Sequence, residues 1–238
     1  MKRLVYLMAL LCSAYAFAGD GGFYLGQTRI VFPSDKKSIS LQVTNNGKKD
    51  WLLRSWVGQY DDKDKTKTPF IITPPLYRLD GSSSTQLRIN AVNISKLPTD
   101  RESVYRINVM AIPPESKSGT EDNKVDTTSG SIQFALNSRI KLFYRPAALN
   151  NPAMVDTAWQ KLTARQQGNM LIISNPTPYY ITLAHIKING IDTNTNGLDT
   201  MVAPDNNLKV PVSGRVQKFG YRTINDYGGL TAERTVTL

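Results

Sequence analysis

The sequence predicts an all-β chain built as two immunoglobulin-like β-sandwich units, and three observations carry that reading. From Phe23 onward, short alternating or β-branched runs recur between Gly, Pro, Asn and Asp punctuation. No stretch of three helical turns places apolar residues at helical spacing between convincing caps. The 238 residues, less an N-terminal export signal, divide into ~120 and ~90, close to the roughly 100 residues of such a sandwich.

The first element is that signal. Lys2 and Arg3 precede an apolar run at 4–11, and Ala16-Phe17-Ala18 forms a small-x-small cleavage site, which predicts a signal peptide at 1–18 and a mature chain from Gly19. The run falls short of the roughly 20 residues that span a bilayer, and no later run reaches that length. We therefore expect an exported, soluble protein of the periplasm or exterior, without membrane insertion. Strands follow at 38–43, 86–89, 105–112 and 131–144, then at 169–174, 179–188, 207–212, 215–223 and 231–237. Alternation puts Ile39, Leu41 and Val43 on one face, as a half-buried strand requires. Arg-Pro and Asn-Asn-Pro interrupt the pattern near 145–152, which sets the units at 19–145 and 146–238. Residues 113–129 read as a long polar loop. The run after it places Ile132, Phe134 and Leu136 on one face, a stripe that spacing alone assigns to a core.

Composition excludes much chemistry. The chain has 29 Lys+Arg against 19 Asp+Glu, a net +10, with one His and one Cys. Signal removal takes Lys2, Arg3 and Cys12, leaving 27 basic residues, a net +8 and no cysteine. A thiolate metal site or internal disulfide is thus excluded, and a histidine-dependent triad would have to use His185. His185 sits within a strand run and reads as a hydrogen-bonded structural residue. No nucleophile elbow, Walker loop or dinucleotide fingerprint is present, so we expect no enzyme, cofactor or metal. No basic helix or RNA-binding motif accompanies the charge, so nucleic acid is not an expected partner. The charged run 61–67 lacks the EF-hand glycine and glutamate and reads as a solvated hairpin tip. What remains are cations inside strands, Arg29 before Ile30-Val31-Phe32 and Lys141 within Ile140-Lys141-Leu142-Phe143-Tyr144. By themselves they could snorkel from a strand edge.

Four segments change that weighting. Leu97-Pro98-Thr99-Asp100-Arg101-Glu102-Ser103 with Asn108 and Ile112-Pro113-Pro114 is the first. The second is Ile140-Lys141-Leu142-Phe143-Tyr144-Arg145-Pro146. Asn175-Pro176-Thr177-Pro178-Tyr179-Tyr180 and Ile224-Asn225-Asp226-Tyr227-Gly228-Gly229 complete the set. In this order they resemble the PapD-like periplasmic chaperones of the chaperone–usher pathway.

The resemblance implies a boomerang of two sandwiches with a cleft between them, and a function in fimbrial or pilus assembly. The partners it implies are fimbrial subunits, stabilised by donor-strand complementation, and an outer-membrane usher that receives them. Arg29 and Lys141 match the pair that anchors the subunit's C-terminal carboxylate. Ile132, Phe134 and Leu136 match the donor strand, while Glu102, Arg145 and Asp226 match an interdomain charge network. A secreted immunoglobulin-like adhesin or fibre module is the rival reading, with a carbohydrate-binding or hydrolytic domain third. Self-association of the free chaperone through its exposed strand is left open. Arg106 departs from the family, which carries an aromatic at that position. The absence of cysteine leans toward the family's short-loop branch.

Overall fold

The computed structural model describes residues 22–114 and 133–238. The signal segment, most of the loop expected at 113–129, and Ile132 lie outside the described residues. The first sandwich holds β1 (Phe23–Leu25), β2 (Arg29–Pro33), β3 (Ser38–Asn45), β4 (Trp51–Gln59) and β5 (Phe70–Thr73). It continues with β6 (Leu76–Leu79), β7 (Ser83–Ala91), β8 (Ser103–Ile112) and β9 (Leu136–Arg145). One sheet runs β1-β3-β7-β5 and the other β2-β9-β8-β4-β6.

Alternation explains how these sheets stack. Leu41 lies opposite Leu87 and Ile39 opposite Ile89. Leu41, Val43, Leu87 and Ile89 are sealed against Phe32, Leu53, Ile107, Val109 and Leu142 of the facing sheet. Each such side chain contributes roughly 1.5–3 kcal/mol on burial. A ring cluster of Phe32, Phe70, Tyr105 and Tyr144 fills the end nearest the second sandwich, with centroids 5.1–6.2 Å apart.

The second sandwich begins with helix α1 (Pro152–Ala158). Asn151 caps it by accepting the Ala153 N–H, and Pro152 stands where its missing N–H costs nothing. The strands are β10 (Thr163–Gln167), β11 (Met170–Asn175), β12 (Ile181–Ile188), β13 (Ile191–Asp192), β14 (Met201–Val202), β15 (Asn206–Pro211), β16 (Lys218–Ile224) and β17 (Arg234–Thr237). They form a β10-β11-β15 sheet and a β13-β12-β16-β17 sheet, with β14 also paired to β12. Leu171, Ile173, Leu183, Phe219 and Tyr221 centre a separate core. Buried Asn175 organises its entrance: its amide donates to the carbonyls of Tyr179, Val202 and Ala203, and its Oδ1 accepts from Thr177.

Three expectations are corrected. The charged run 61–67 is no hairpin tip, because β4 and β5 belong to different sheets and the run carries the chain from one to the other. His185 is exposed at a bulge between β12 and β16, without a side-chain hydrogen bond among the described residues, so it is not a structural anchor. The core assignment for Phe134 and Leu136 also fails, since they are 73% and 54% exposed. Leu136 opens the core-facing register of β9 that continues through Ile140 and Leu142, but lies beyond the point where the opposite sheet covers it.

Candidate functional site

The sheet order puts β9 between β2 and β8 and gives it two different edges. Along one edge, β8 pairs with the strand from Leu136 to Tyr144. Along the other, β2 pairs in parallel from Lys141 to Arg145. Among the described residues no strand pairs with that second edge over 136–140. The open stretch therefore ends where β2 starts, at Arg29, directly beside Lys141.

Core and outer residues alternate along β2 and β9, so Ile30 and Leu142 face inward while Arg29 and Lys141 face the second sandwich. Arg29 is 9% exposed, and its Nη1 donates to the Ile224 carbonyl at 3.2 Å. Lys141 Nζ reaches Thr182 Oγ1 at 3.1 Å and stands 5.9 Å from the Tyr60 ring centre. Neither cation has a carboxylate within 4.0 Å among the described residues. Burial pushes the Lys141 amine down to about 8; Arg29 and Arg106 push the same way, against Asp199. Burial also lowers Arg29, opposed by Asp226. Two partly desolvated cations side by side, without an internal counter-ion in contact, form a receptor for an anion.

The two sandwiches meet around this pair. Arg145 donates through Nε to Glu102 at 2.7 Å and through both terminal nitrogens to Asp226 at 2.6 and 3.0 Å. Glu102 is 3% exposed, and its second oxygen accepts the Tyr180 N–H at 2.8 Å. Burial raises the Glu102 carboxyl, with Arg145 opposing. Burial works against the Arg145 charge too, but its two carboxylates prevail and hold it above the ordinary arginine range. Phe143 packs on Tyr180 at 5.9 Å. Gly228, at φ +85°, lies where a Cβ would come within 2.4 Å of Thr28 Oγ1, so this turn can approach β2 only as glycine.

Sequence reasoning did not single out Tyr60 or Asp199 on the cleft's other side. Tyr60 donates its hydroxyl to Asp199 of the second sandwich at 2.8 Å. Arg106, whose setting the sequence left undefined, stacks on the Tyr60 ring at 4.5 Å and donates to the Tyr60 carbonyl at 2.9 Å. Its position opposite Lys141 in the β8–β9 register was the missing signal.

Comparison with known proteins agrees with this architecture. Residues 22–150 match the family described as pili and flagellar-assembly chaperone, PapD N-terminal domain, and 157–235 match the pili assembly chaperone PapD, C-terminal domain. The chain is 37% identical over 236 residues to the chaperone protein FimC of Escherichia coli O6:H1 (strain CFT073), covering 98% of this chain and 91% of that one. The solved structure of the E. coli chaperone DraB superposes with TM-score 0.77 at 32% identity, covering 92% and 97% of the two chains. The Salmonella enterica SafB chaperone, solved in complex with the SafA pilin, gives 0.77 at 29% identity over the same shares. Two sandwiches joined as these are, matched by both family descriptions in order, identify the chain as a member of the PapD family of pili-assembly chaperones.

Proposed function

We propose that this protein is a non-enzymatic periplasmic chaperone that binds fimbrial subunits by lending them a strand and passes them to an outer-membrane usher. The observation that carries the reading is the open edge of β9 ending at two cations, buried Arg29 and half-buried Lys141. A client strand added along 136–140 would gain backbone hydrogen bonds from that edge. Its direction follows from charge. A strand parallel to β9 brings its C-terminal carboxylate to Arg29 and Lys141, whereas an antiparallel one brings a repelled amino group.

Anchoring the carboxylate fixes register, and a slip of one residue would turn every side chain to the wrong face. In that register Ile132, Phe134 and Leu136 enter the client's apolar groove. Their exposure supports this role: Phe134 and Leu136 give up water on binding, at roughly 1.5–3 kcal/mol per side chain before ordering costs. Glu102, Arg145 and Asp226 set the angle between the strand-donating unit 19–145 and the second unit 146–238. Client release requires no nucleotide, since a better-fitting strand from the next subunit can displace β9.

Replacing Ile132, Phe134 and Leu136 together with Ser tests the donor strand. The triple variant should fold and be exported yet leave co-expressed subunits open to proteolysis. Protection equal to wild type would overturn the assignment.

A further inference from the structure

A cavity of about 310 Å³ opens in the second sandwich where α1 meets the start of β12, the end of β16 and the turn that follows it. That volume is in the range of small-ligand sites, and the walls are held by their own contacts. Trp159 donates its indole N–H to the Asp156 carbonyl at 2.9 Å and sets its ring edge-on to Tyr221, with centroids 6.3 Å apart. Tyr179 donates its hydroxyl to the Leu149 carbonyl at 2.7 Å, and Arg145 lies over its ring. Val155 and Ile181 add aliphatic surface.

Three charged side chains line the same cavity: Arg145, Asp156 and Asp226. Arg145 is already matched, by Asp226 through two hydrogen bonds and by Glu102 through a third. The Asp156 carboxylate makes no hydrogen bond or ion pair among the described residues. The balance at the cavity is therefore negative, on a chain whose formal net charge is +10. Asp226 has accepted two hydrogen bonds and keeps lone pairs for a further donor. A free carboxylate beside an indole face suits an amine, through a charged hydrogen bond and attraction to the ring. An anionic ligand of the same shape would be repelled.

We propose that this cavity is a binding site for small amines with an aromatic body, whose ring lies against Trp159, Val155 and Ile181 and whose ammonium pairs with Asp156. Neither Arg29 nor Lys141 lines it, so the site is separate from the carboxylate anchor and stands without that reading. Arg145 and Asp226 line it and also join the two sandwiches, so an occupant abuts the interdomain clamp.

The test titrates the purified protein by calorimetry with tryptamine, its alcohol analogue tryptophol, the acid 3-indolepropionate, and butylamine, which keeps the charge without the ring. Tryptamine should bind about tenfold more tightly than tryptophol or butylamine, equivalent to ~1.4 kcal/mol, and indolepropionate should not bind measurably. Asp156→Asn should lower tryptamine to the affinity of tryptophol and leave tryptophol unchanged; the side chain is exposed and unpaired, so the fold should tolerate the change. Ala232→Trp, which fills the exposed rim, should abolish binding of both. In wild type, tryptamine should shift the amide resonances of 155–159 and 223–227, a check that needs no variant. Absence of tryptamine binding, equal affinity for tryptophol or butylamine, survival of the preference in Asp156→Asn, unchanged binding in Ala232→Trp, or resonance shifts confined to the first sandwich would each overturn the proposal. Equal losses of tryptamine and tryptophol in Asp156→Asn would also overturn it, by showing that Asp156 shapes the cavity without pairing with the amine.

Discussion

Lys141 carries its charge in an unfavourable place. Its amine titrates near 10.5 in an unfolded chain but at about 8 in the fold, chiefly because it is buried. Between those values the unfolded chain binds more protons, so this group makes folding stability rise with pH across that window. Client binding should run the other way, because the carboxylate needs a protonated amine: affinity holds below pH 8 and falls above it. Urea midpoints and peptide titrations over pH 7–10 separate the two trends, and parallel movement of both would contradict the assignment. Lys141→Met removes the desolvated charge. It should raise the melting temperature of the free protein by roughly 2–4 °C, the shift ~1 kcal/mol produces at this size, a modest value because solvent screens the partly exposed amine. The same variant should lose its clients. Arg29 and Lys141 stand out in the sequence as cations within apolar strands, but their adjacency depends on parallel pairing between segments more than a hundred positions apart. Arg106 drew attention as a departure from family pattern, and only the β8–β9 register gives it neighbours.

At the scale of elements, β9 is half core strand and half exposed edge. Leu142 and Tyr144 are sealed, Ile140 is half-buried, and Leu136 and Phe134 stand in solvent. Phe134→Ser and Leu136→Ser should therefore change folding stability by no more than about 0.5 kcal/mol, measured by denaturant unfolding, yet each should weaken client binding. A large loss of folding stability would mean that these side chains support the sandwich. Alternation revealed which residues share the face. It could not reveal where the covering sheet stops, because that limit is set by the facing sheet, whose strands lie far away in the sequence. The all-β texture and most strands were likewise legible from alternation and turn residues. Helix α1 was not, since 7 residues are too few to display a helical period, although Asn151-Pro152 is a cap signal. The run 61–67 looked like a hairpin tip because local chemistry is the same whether a turn stays in its sheet or leaves it.

For the whole molecule, the cleft is bounded by contacts of unequal strength. Glu102, Arg145 and Asp226 form one side with short charged hydrogen bonds, and the Tyr60–Asp199 bond forms the other at the exposed margin. Arg145→Ala leaves Glu102 buried without its counter-ion, which costs about 3–5 kcal/mol. We expect a lower urea midpoint and a wider solution-scattering envelope as the sandwiches separate; an unchanged envelope would show that Phe143, Tyr180 and the Gly228 turn hold the angle unaided. The sequence suggested two units from its length and punctuation. It could not by itself join Glu102, Arg145 and Asp226, because their meeting requires both units to fold and dock.

Recovery of subunits from the periplasm tests most directly whether a client's terminal carboxylate is held between Arg29 and Lys141. With chaperone levels matched, wild type should co-purify fimbrial subunits while Arg29→Ala and Lys141→Ala, folded and exported, recover almost none. Equal recovery by both variants would contradict it.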